Sequence, residues 1–343
     1  MRLLLFNPEN DLALASGDSH YTPPASALAM ARDMQDFPML WAEADDVILR
    51  RDGSVVDAQG ALVATSLSQV ATSIVAVFPW GWSPLLVRQL HDAGIPGVLL
   101  PSAAQMEAYR AWSSRQTSVH LLARLRQEWS DAFASDGALF GESVWCVTEA
   151  QVRAAHQNYG RSMFKAPWSG SGRGVRPVKT TAMSMKDVAW VQSVFQRQGG
   201  VEVEPLYNRR QDFAMEFWSD GGHVSYEGLS VFGTTAGGVY QGNLVASEAE
   251  KEAYLGQYIA PERLHILSER LVQLLSSAQT PLWYTGPIGV DMMVVGDSRF
   301  KIHPLVEINL RTTMGWVALH LTNHGAQTHF SVRQRDGHFQ AEY

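Results

Sequence analysis

Hydrophobic and polar positions change period several times along this chain, and the changes mark its elements. Residues 3–6 form a fully apolar run of strand length, and residues 74–78 repeat it, as expected of strands buried on both faces of a parallel sheet. Residues 98–100 are expected to add a third. Between these runs, residues 25–32 have helical spacing, and residues 47–50 and 54–56 flank Arg51-Asp52-Gly53 as a hairpin. Ser83-Pro84 opens a helix through Leu90 that closes at Gly94, and Ser102 caps another that is expected to continue through Leu125. Strand and helix thus alternate as in a doubly wound α/β sheet. From about residue 115 the pattern becomes mixed antiparallel strands and helices. Residues 149–157, 184–198 and 261–277 read as helices, and residues 213–218 with 223–229, then 330–334 with 338–342, read as hairpins. The expected division is 1–114, 115–200 and 201–343.

Two stretches carry chemistry. In Phe164-Lys165-Ala166-Pro167-Trp168-Ser169-Gly170-Ser171-Gly172-Arg173-Gly174-Val175, a lysine leaves a short apolar strand just before a glycine-dense, hydroxyl-bearing loop. Such glycines let several N–H groups converge on phosphate oxygens, while Lys165 and Arg173 supply charge. A P-loop would place Gly-Lys-Ser/Thr after its glycines, which is not found, and a dinucleotide fingerprint would need different spacing and a later acid.

The second stretch is Gly289-Val290-Asp291-Met292-Met293-Val294-Val295, followed after a turn by Val306-Glu307-Ile308-Asn309-Leu310-Arg311. Alternation sends Glu307, Asn309 and Arg311 to one face and Val306, Ile308 and Leu310 to the other. A carboxylate, an amide and a guanidinium in line suit a hard cation with phosphate oxygens, and Asp291 on the neighbouring strand offers a second carboxylate.

In their order and spacing, these motifs resemble the ATP-grasp superfamily over about 200 residues, from near Arg115 to Gly315. The resemblance implies an N-terminal pre-grasp α/β domain followed by two α+β subdomains that hold ATP between them. It implies that Lys165 contacts ATP phosphates, that Ser169, Gly170, Ser171, Gly172, Arg173 and Gly174 close over them, and that Asp291, Glu307 and Asn309 hold one or two Mg²⁺ ions, with Mn²⁺ an admissible substitute. Arg311 would face the transferring phosphoryl group or the substrate carboxylate. Val201-Glu202-Val203-Glu204-Pro205-Leu206-Tyr207 matches the family's hinge, with Glu204 and Tyr207 bordering adenine and Asp212 on the ribose. The same alternation of Glu and Val equally fits a solvent-facing edge strand. One departure is Arg115, which stands where the family commonly has a lysine; its fork binds phosphate differently from a point charge.

By this resemblance the expected activity is ATP-dependent ligation, with a carboxylate activated as an acyl phosphate and captured by an amine or similar nucleophile. A kinase of small molecules or a non-catalytic ATP-binding module are the alternatives. The polar segment after the first strand sits where open α/β sheets gather ligands, so Asn7, Glu9, Asn10, Asp11, His20 and Tyr21 are candidate substrate contacts. Residues 234–243 are a glycine-rich segment that would close over substrate or simply connect.

Composition narrows the class. A net charge of −7 without a Lys/Arg cluster argues against nucleic-acid partners. The single cysteine, Cys146, excludes an internal disulfide and lies in a strand, as an inert buried thiol would. No apolar run approaches the ~20 residues of a membrane span, and the N-terminal run is too short for a signal segment, so a cytoplasmic enzyme is expected, as a monomer or a homo-oligomer. His320 and His324 have helical spacing without the glutamate of a metalloprotease helix.

Overall fold

The computed structural model describes residues 1–134, 137–169, 174–221, 223–235, 238–278, 284–321 and 328–343. Its strands fall into three sheets, and each sheet is built from one continuous stretch of sequence. The first has the order β4-β3-β2-β1-β5 and contains β1 (Arg2–Leu5), β2 (Asp46–Leu49), β3 (Val55–Asp57), β4 (Leu62–Ala64) and β5 (Ala76–Pro79). Only β2, β1 and β5 are parallel; β3 and β4 extend the edge as an antiparallel meander. Helices α1 (Asn10–Ser16), α2 (Ala25–Asp33) and α3 (Pro84–Asp92) accompany this sheet. The third strand expected at residues 98–100 is instead a 3-10 turn, Gly97–Leu99. Pro96 and Pro101 bracket it, and Val98 is 91% exposed, so it has no strand to pair with and no core to enter.

The single helix expected from Ser102 is broken in two, α4 (Ala103–Trp112) and α5 (Arg115–Glu128). Ser114 accepts a hydrogen bond from Gln116 N and caps the second helix, which puts Arg115 at its first position. A buried cation there opposes the helix dipole, so its placement needs compensation from elsewhere.

The second sheet, in order β6-β9-β7-β8, contains β6 (Val144–Cys146), β7 (Ser162–Lys165), β8 (Val175–Val178) and β9 (Val201–Pro205). Helices α6 (Glu149–Tyr159) and α7 (Met185–Gln198) pack on it, each opened by a capping box. Strand β9 is interior, between β6 and β7, and Glu202 and Glu204 are 2% and 4% exposed. The solvent-facing edge reading therefore fails. Cys146 is buried on β6, with its thiol pushed up to about 11 by burial.

The third sheet, in order β14-β13-β10-β11-β12-β15-β16, contains β10 (Arg209–Asp220), β11 (Val224–Thr234), β12 (Tyr240–Val245), β13 (Thr285–Val295), β14 (Lys301–Asn309), β15 (Thr328–Arg335) and β16 (His338–Glu342). Its two faces differ sharply. Phe213, Met215, Phe217, Leu229, Val231, Val290, Met292 and Ile308 join Leu264, Leu267, Leu271 and Leu274 of helix α9 (Pro261–Ser277) in one core. The alternate residues, Asp212, Glu216, Asp291, Glu307 and Asn309, face the other way. Helix α8 (Glu248–Gly256) and helix α10 (Met314–Leu321) complete the elements used below. His324 lies outside the described residues, as do residues 236–237 of the 234–243 segment. Strand β12 accounts for the end of that segment.

Candidate nucleotide and cation site

Register on the third sheet aligns the polar side chains. Asp291 of β13 pairs with Glu307 of β14 and with Ala214 of β10; one row along, Gly289 lies between Glu216 and Asn309. A bulge separates the Asp291–Glu307 pair from the Met293–His303 pair, so His303 shares the Glu307 face. Gly289 is needed here: a Cβ would come within 2.7 Å of Thr313 and 3.1 Å of Glu216 Oε2.

The expected cation shelf is thus assembled on neighbouring strands. Asn309 Nδ2 donates to Asp291 Oδ2 at 3.2 Å. Burial, and then the Glu307 charge, push the Asp291 carboxyl up to about 7. A buried carboxyl that resists ionising next to a second carboxylate, with an amide beside them, is what a divalent ion with phosphate oxygens would relieve, so the donor set fits Mg²⁺. Among the described residues, no three His, Cys, Asp or Glu side chains form a self-sufficient metal cluster. Phosphate oxygens and water would have to complete the shell.

Opposite the shelf stands Arg115. Its guanidinium donates to Glu307 Oε2 at 2.6 Å, to Ala166 O at 2.7 Å and to Ser169 Oγ at 2.7 Å. This is the compensation that the start of α5 requires, and it joins the glycine loop's base to the carboxylate shelf. The loop's two ends are pinned together: Ala166 N donates to Gly174 O at 2.8 Å, and a Cβ on Gly174 would meet the Ser169 Cβ at 2.2 Å. Gly170, Ser171, Gly172 and Arg173 lie outside the described residues.

Lys165, at the end of β7, is buried between two acids of β9, with Nζ 3.5 Å from Glu202 Oε1 and 2.9 Å from Glu204 Oε2. Burial pushes Glu202 up to about 7 against the opposing pull of Lys165. Tyr207 holds the backbone of Glu142, donating to its carbonyl at 2.9 Å and accepting from its N–H at 2.8 Å. Asp212 accepts from Thr234 Oγ1 and pairs with Arg209 at 3.0 Å.

Arg311 turns to the N-terminal region. It grips Asp11 with two hydrogen bonds, of 2.8 and 3.0 Å, and donates to Asn309 Oδ1 at 3.0 Å. Thr312 N also donates to Trp80 O at 2.8 Å, beyond the end of β5. A narrow cleft lined by Asp11, Ser113, Trp168, Ser169, Glu307, Asn309 and Arg311, with only about 10 Å³ of free volume, lies between these parts. Of the other candidate substrate contacts, Glu9 and Asn10 are buried, with Glu9 Oε1 3.1 Å from Arg51, and Asn7 Nδ2 donates to Gly81 O at 2.8 Å. His20 and Tyr21 do not line the cleft. His20 is a surface residue bonded to Ser19 and Asp18.

Two residues of the site were not foreseen from sequence. Glu216 is 1% exposed; its Oε1 accepts from Thr313 at 2.8 Å, its Oε2 has no partner, and burial pushes it up to about 8. The signal was a carboxylate inside the apolar run Ala214-Met215-Glu216-Phe217-Trp218. His303 is the other, and its signal was its place on the strand of Glu307.

Glu216, Asp291 and Glu202 all hold protons that the unfolded chain releases in the ordinary carboxylate range. Their contribution to stability is therefore complete below that range and is lost as pH rises toward about 8. The ligand-free protein is expected to melt several degrees lower at about pH 8.5 than at about pH 6, with the slope reduced in Glu216→Gln. Melting curves across this range check it, and a melting temperature that climbs with pH would contradict it.

No family model matches the sequence. No curated protein matches it either. Among solved structures, the chain is similar to the N5-carboxyaminoimidazole synthetase of Staphylococcus aureus complexed with ADP (TM-score 0.47, 11% identity, covering 90% of this chain and 70% of that one). It is likewise similar to the biotin carboxylase domain of the Hydrogenobacter thermophilus 2-oxoglutarate carboxylase (TM-score 0.48, 12% identity, 94% and 70%). A third is the biotin carboxylase of Campylobacter jejuni (TM-score 0.45, 16% identity, 95% and 71%). These are loose likenesses at low identity, and they leave the reaction open.

Proposed function

We propose that this chain is an ATP-dependent, Mg²⁺-dependent ligase of the ATP-grasp kind, joining a carboxylate to an amine or similar nucleophile. The observation that carries the reading is the Arg115 bridge: one buried guanidinium links the base of the glycine loop at Ala166 and Ser169 to Glu307 on the carboxylate shelf. Support comes from buried side-chain atoms that lack hydrogen-bond partners. Arg115 Nε, Glu202 Oε2, Glu204 Oε2 and both His303 ring nitrogens are among them; Arg115 interacts electrostatically with Glu202 and Glu204, and His303 lies 3.9 Å from Glu204. Buried polar groups are rarely left unmatched, and a concentration of them points to a polar ligand.

In this reading Asp291, Glu307 and Asn309 hold the cation, and Lys165, Arg115 and the loop hold phosphates. Bound MgATP supplies a transferable phosphoryl group that makes a carboxylate oxygen a leaving group. The chain's own residues position and neutralise: Arg311 stands between Asp11 and Asn309, at the end of the cleft where an anionic substrate would approach.

Calorimetric titration with a non-hydrolysable ATP analogue, with and without Mg²⁺, tests the nucleotide part. Binding at micromolar level that weakens at least tenfold without Mg²⁺ is expected. Phosphate release that requires an acid and an amine together distinguishes ligation from phosphorylation of an alcohol. Absence of nucleotide binding would overturn the reading.

A further inference from the structure

Arg311 already holds a carboxylate. Its Nε donates to Asp11 Oδ1 at 2.8 Å and its Nη2 to Asp11 Oδ2 at 3.0 Å, the two-pronged grip with which a guanidinium takes a planar oxyanion. Nη1 is turned to Thr312 O at 3.0 Å, so the Nε and Nη2 edge is the one offered to an anion. Nη2 also donates to Asn309 Oδ1, and Asn309 Nδ2 donates to Asp291 Oδ2, which sets the gripped carboxylate next to the cation shelf. Asp11 and Arg311 both border the cleft, whose free volume of about 10 Å³ is scarcely enough for one water. No substrate carboxylate enters while Asp11 stays in place.

The fold does not depend on this bridge. Thr312 N donates to Trp80 O at 2.8 Å, so a backbone bond already ties the N-terminal sheet to the end of β14. At the far end of α1, Arg110 donates to Leu14 O at 3.1 Å and to Ala15 O at 2.9 Å, and its guanidinium lies 4.3 Å from the centre of the Trp168 ring. Trp168 Nε1 in turn donates to Arg110 O at 2.9 Å. Helix α1 is thus anchored without Asp11, whose side chain leaves Arg311 by a change of rotamer. The pair is also partly open, with side chains 25% and 18% exposed, and ion pairs in such settings add little to stability.

We propose that Asp11 is an internal occupant of the oxyanion site that Arg311 makes beside the cation shelf, a gate that substrate opens by displacing it. This rests on the ligase reading above, which brings an oxyanion to Arg311. The displacing group is a planar carboxylate or a phosphoryl group, since both match the same fork. Competition by a tethered carboxylate weakens an outside anion by the fraction of time the site stands free, so a gate closed about nine-tenths of the time costs about tenfold in apparent affinity. In exchange, the guanidinium is never left unpaired next to the shelf, and anions that cannot take both prongs do not displace Asp11.

The test is calorimetric titration of the whole protein, loaded with MgADP, with acetate and separately with inorganic phosphate, at constant ionic strength in chloride. Acetate reproduces the Asp11 side chain itself. Asp11→Ala and Asp11→Asn are each expected to bind at least one of the two anions at least about tenfold more tightly than wild type. A gain confined to acetate assigns the gate to the substrate carboxylate, and one confined to phosphate assigns it to the phosphoryl group. The gain is expected to vanish in Asp11→Ala/Arg311→Met. Melting temperatures establish which variants fold, and either single variant suffices. A bridge that serves only the fold would lower the melting temperature without improving anion binding, so folded Asp11 variants that bind both anions no better than wild type would overturn the gate alone. A gain that survives the loss of Arg311 would overturn it as well, by placing the anion elsewhere. If wild type does not bind MgADP, the ligase reading itself is wrong and the gate falls with it.

Discussion

Lys165→Met is expected to abolish measurable nucleotide binding and, at the same time, to lower the stability of the ligand-free protein by about 3–5 kcal/mol. Both effects come from its setting. Nζ is buried 3.5 and 2.9 Å from the side chains of Glu202 and Glu204, so removing it leaves two acids facing each other in low dielectric with no cation between them. Loss of binding in this variant alone would therefore be ambiguous. The triple variant Lys165→Met/Glu202→Gln/Glu204→Gln resolves it, because replacing a whole buried charge cluster with neutral groups is often near neutral for stability. Urea denaturation is expected to show most of the lost stability restored, while calorimetry with the ATP analogue still detects no binding. Recovery of binding along with stability would show that Lys165 serves the fold and not the nucleotide.

Much of this architecture is written in the chain, and the exceptions have physical reasons. Helix α9 runs from Pro261 to Ser277, as its leucine spacing and its proline at the first turn require. The alternation in β14 places Glu307 and Asn309 on the face opposite Ile308, as read from sequence. By contrast, nothing in Val98-Leu99-Leu100 distinguishes a buried strand from a turn pinned by two prolines, since the difference lies in whether a partner strand exists. The break at Ser113-Ser114 was hidden because a serine inside a helical pattern is only mildly unfavourable until it caps a new helix. Glu216 and His303 were missed for a different reason. Both belong to strands that are buried on both faces, and their meaning comes from register: Glu216 opposite Gly289, and His303 across a bulge from Glu307. Single-strand periodicity carries no information about either neighbour.

Glu307→Gln is expected to lower ATP turnover by at least about a hundredfold while leaving the fold intact, and the geometry explains why the two separate. Glutamine keeps the volume and an acceptor for Arg115, whose NH2 donates to Glu307 Oε2 at 2.6 Å, so the loop base at Ala166 and Ser169 stays attached to β14. What is lost is one of the two carboxylates of the shelf. With that charge gone, the carboxyl of Asp291 no longer has its largest like-charge neighbour and titrates closer to its ordinary range, an effect opposite in sign to the one a bound cation would relieve. The remaining donors, Asp291 and Asn309, make a weaker shelf for a hard ion, so the Mg²⁺ concentration giving half-maximal turnover should also rise at least about tenfold. Phosphate release measured across a Mg²⁺ titration, next to melting curves of both proteins, checks each part. Near-wild-type turnover at the same Mg²⁺ would remove Glu307 from the cation site, and with it the Arg115 bridge as the link between loop and metal.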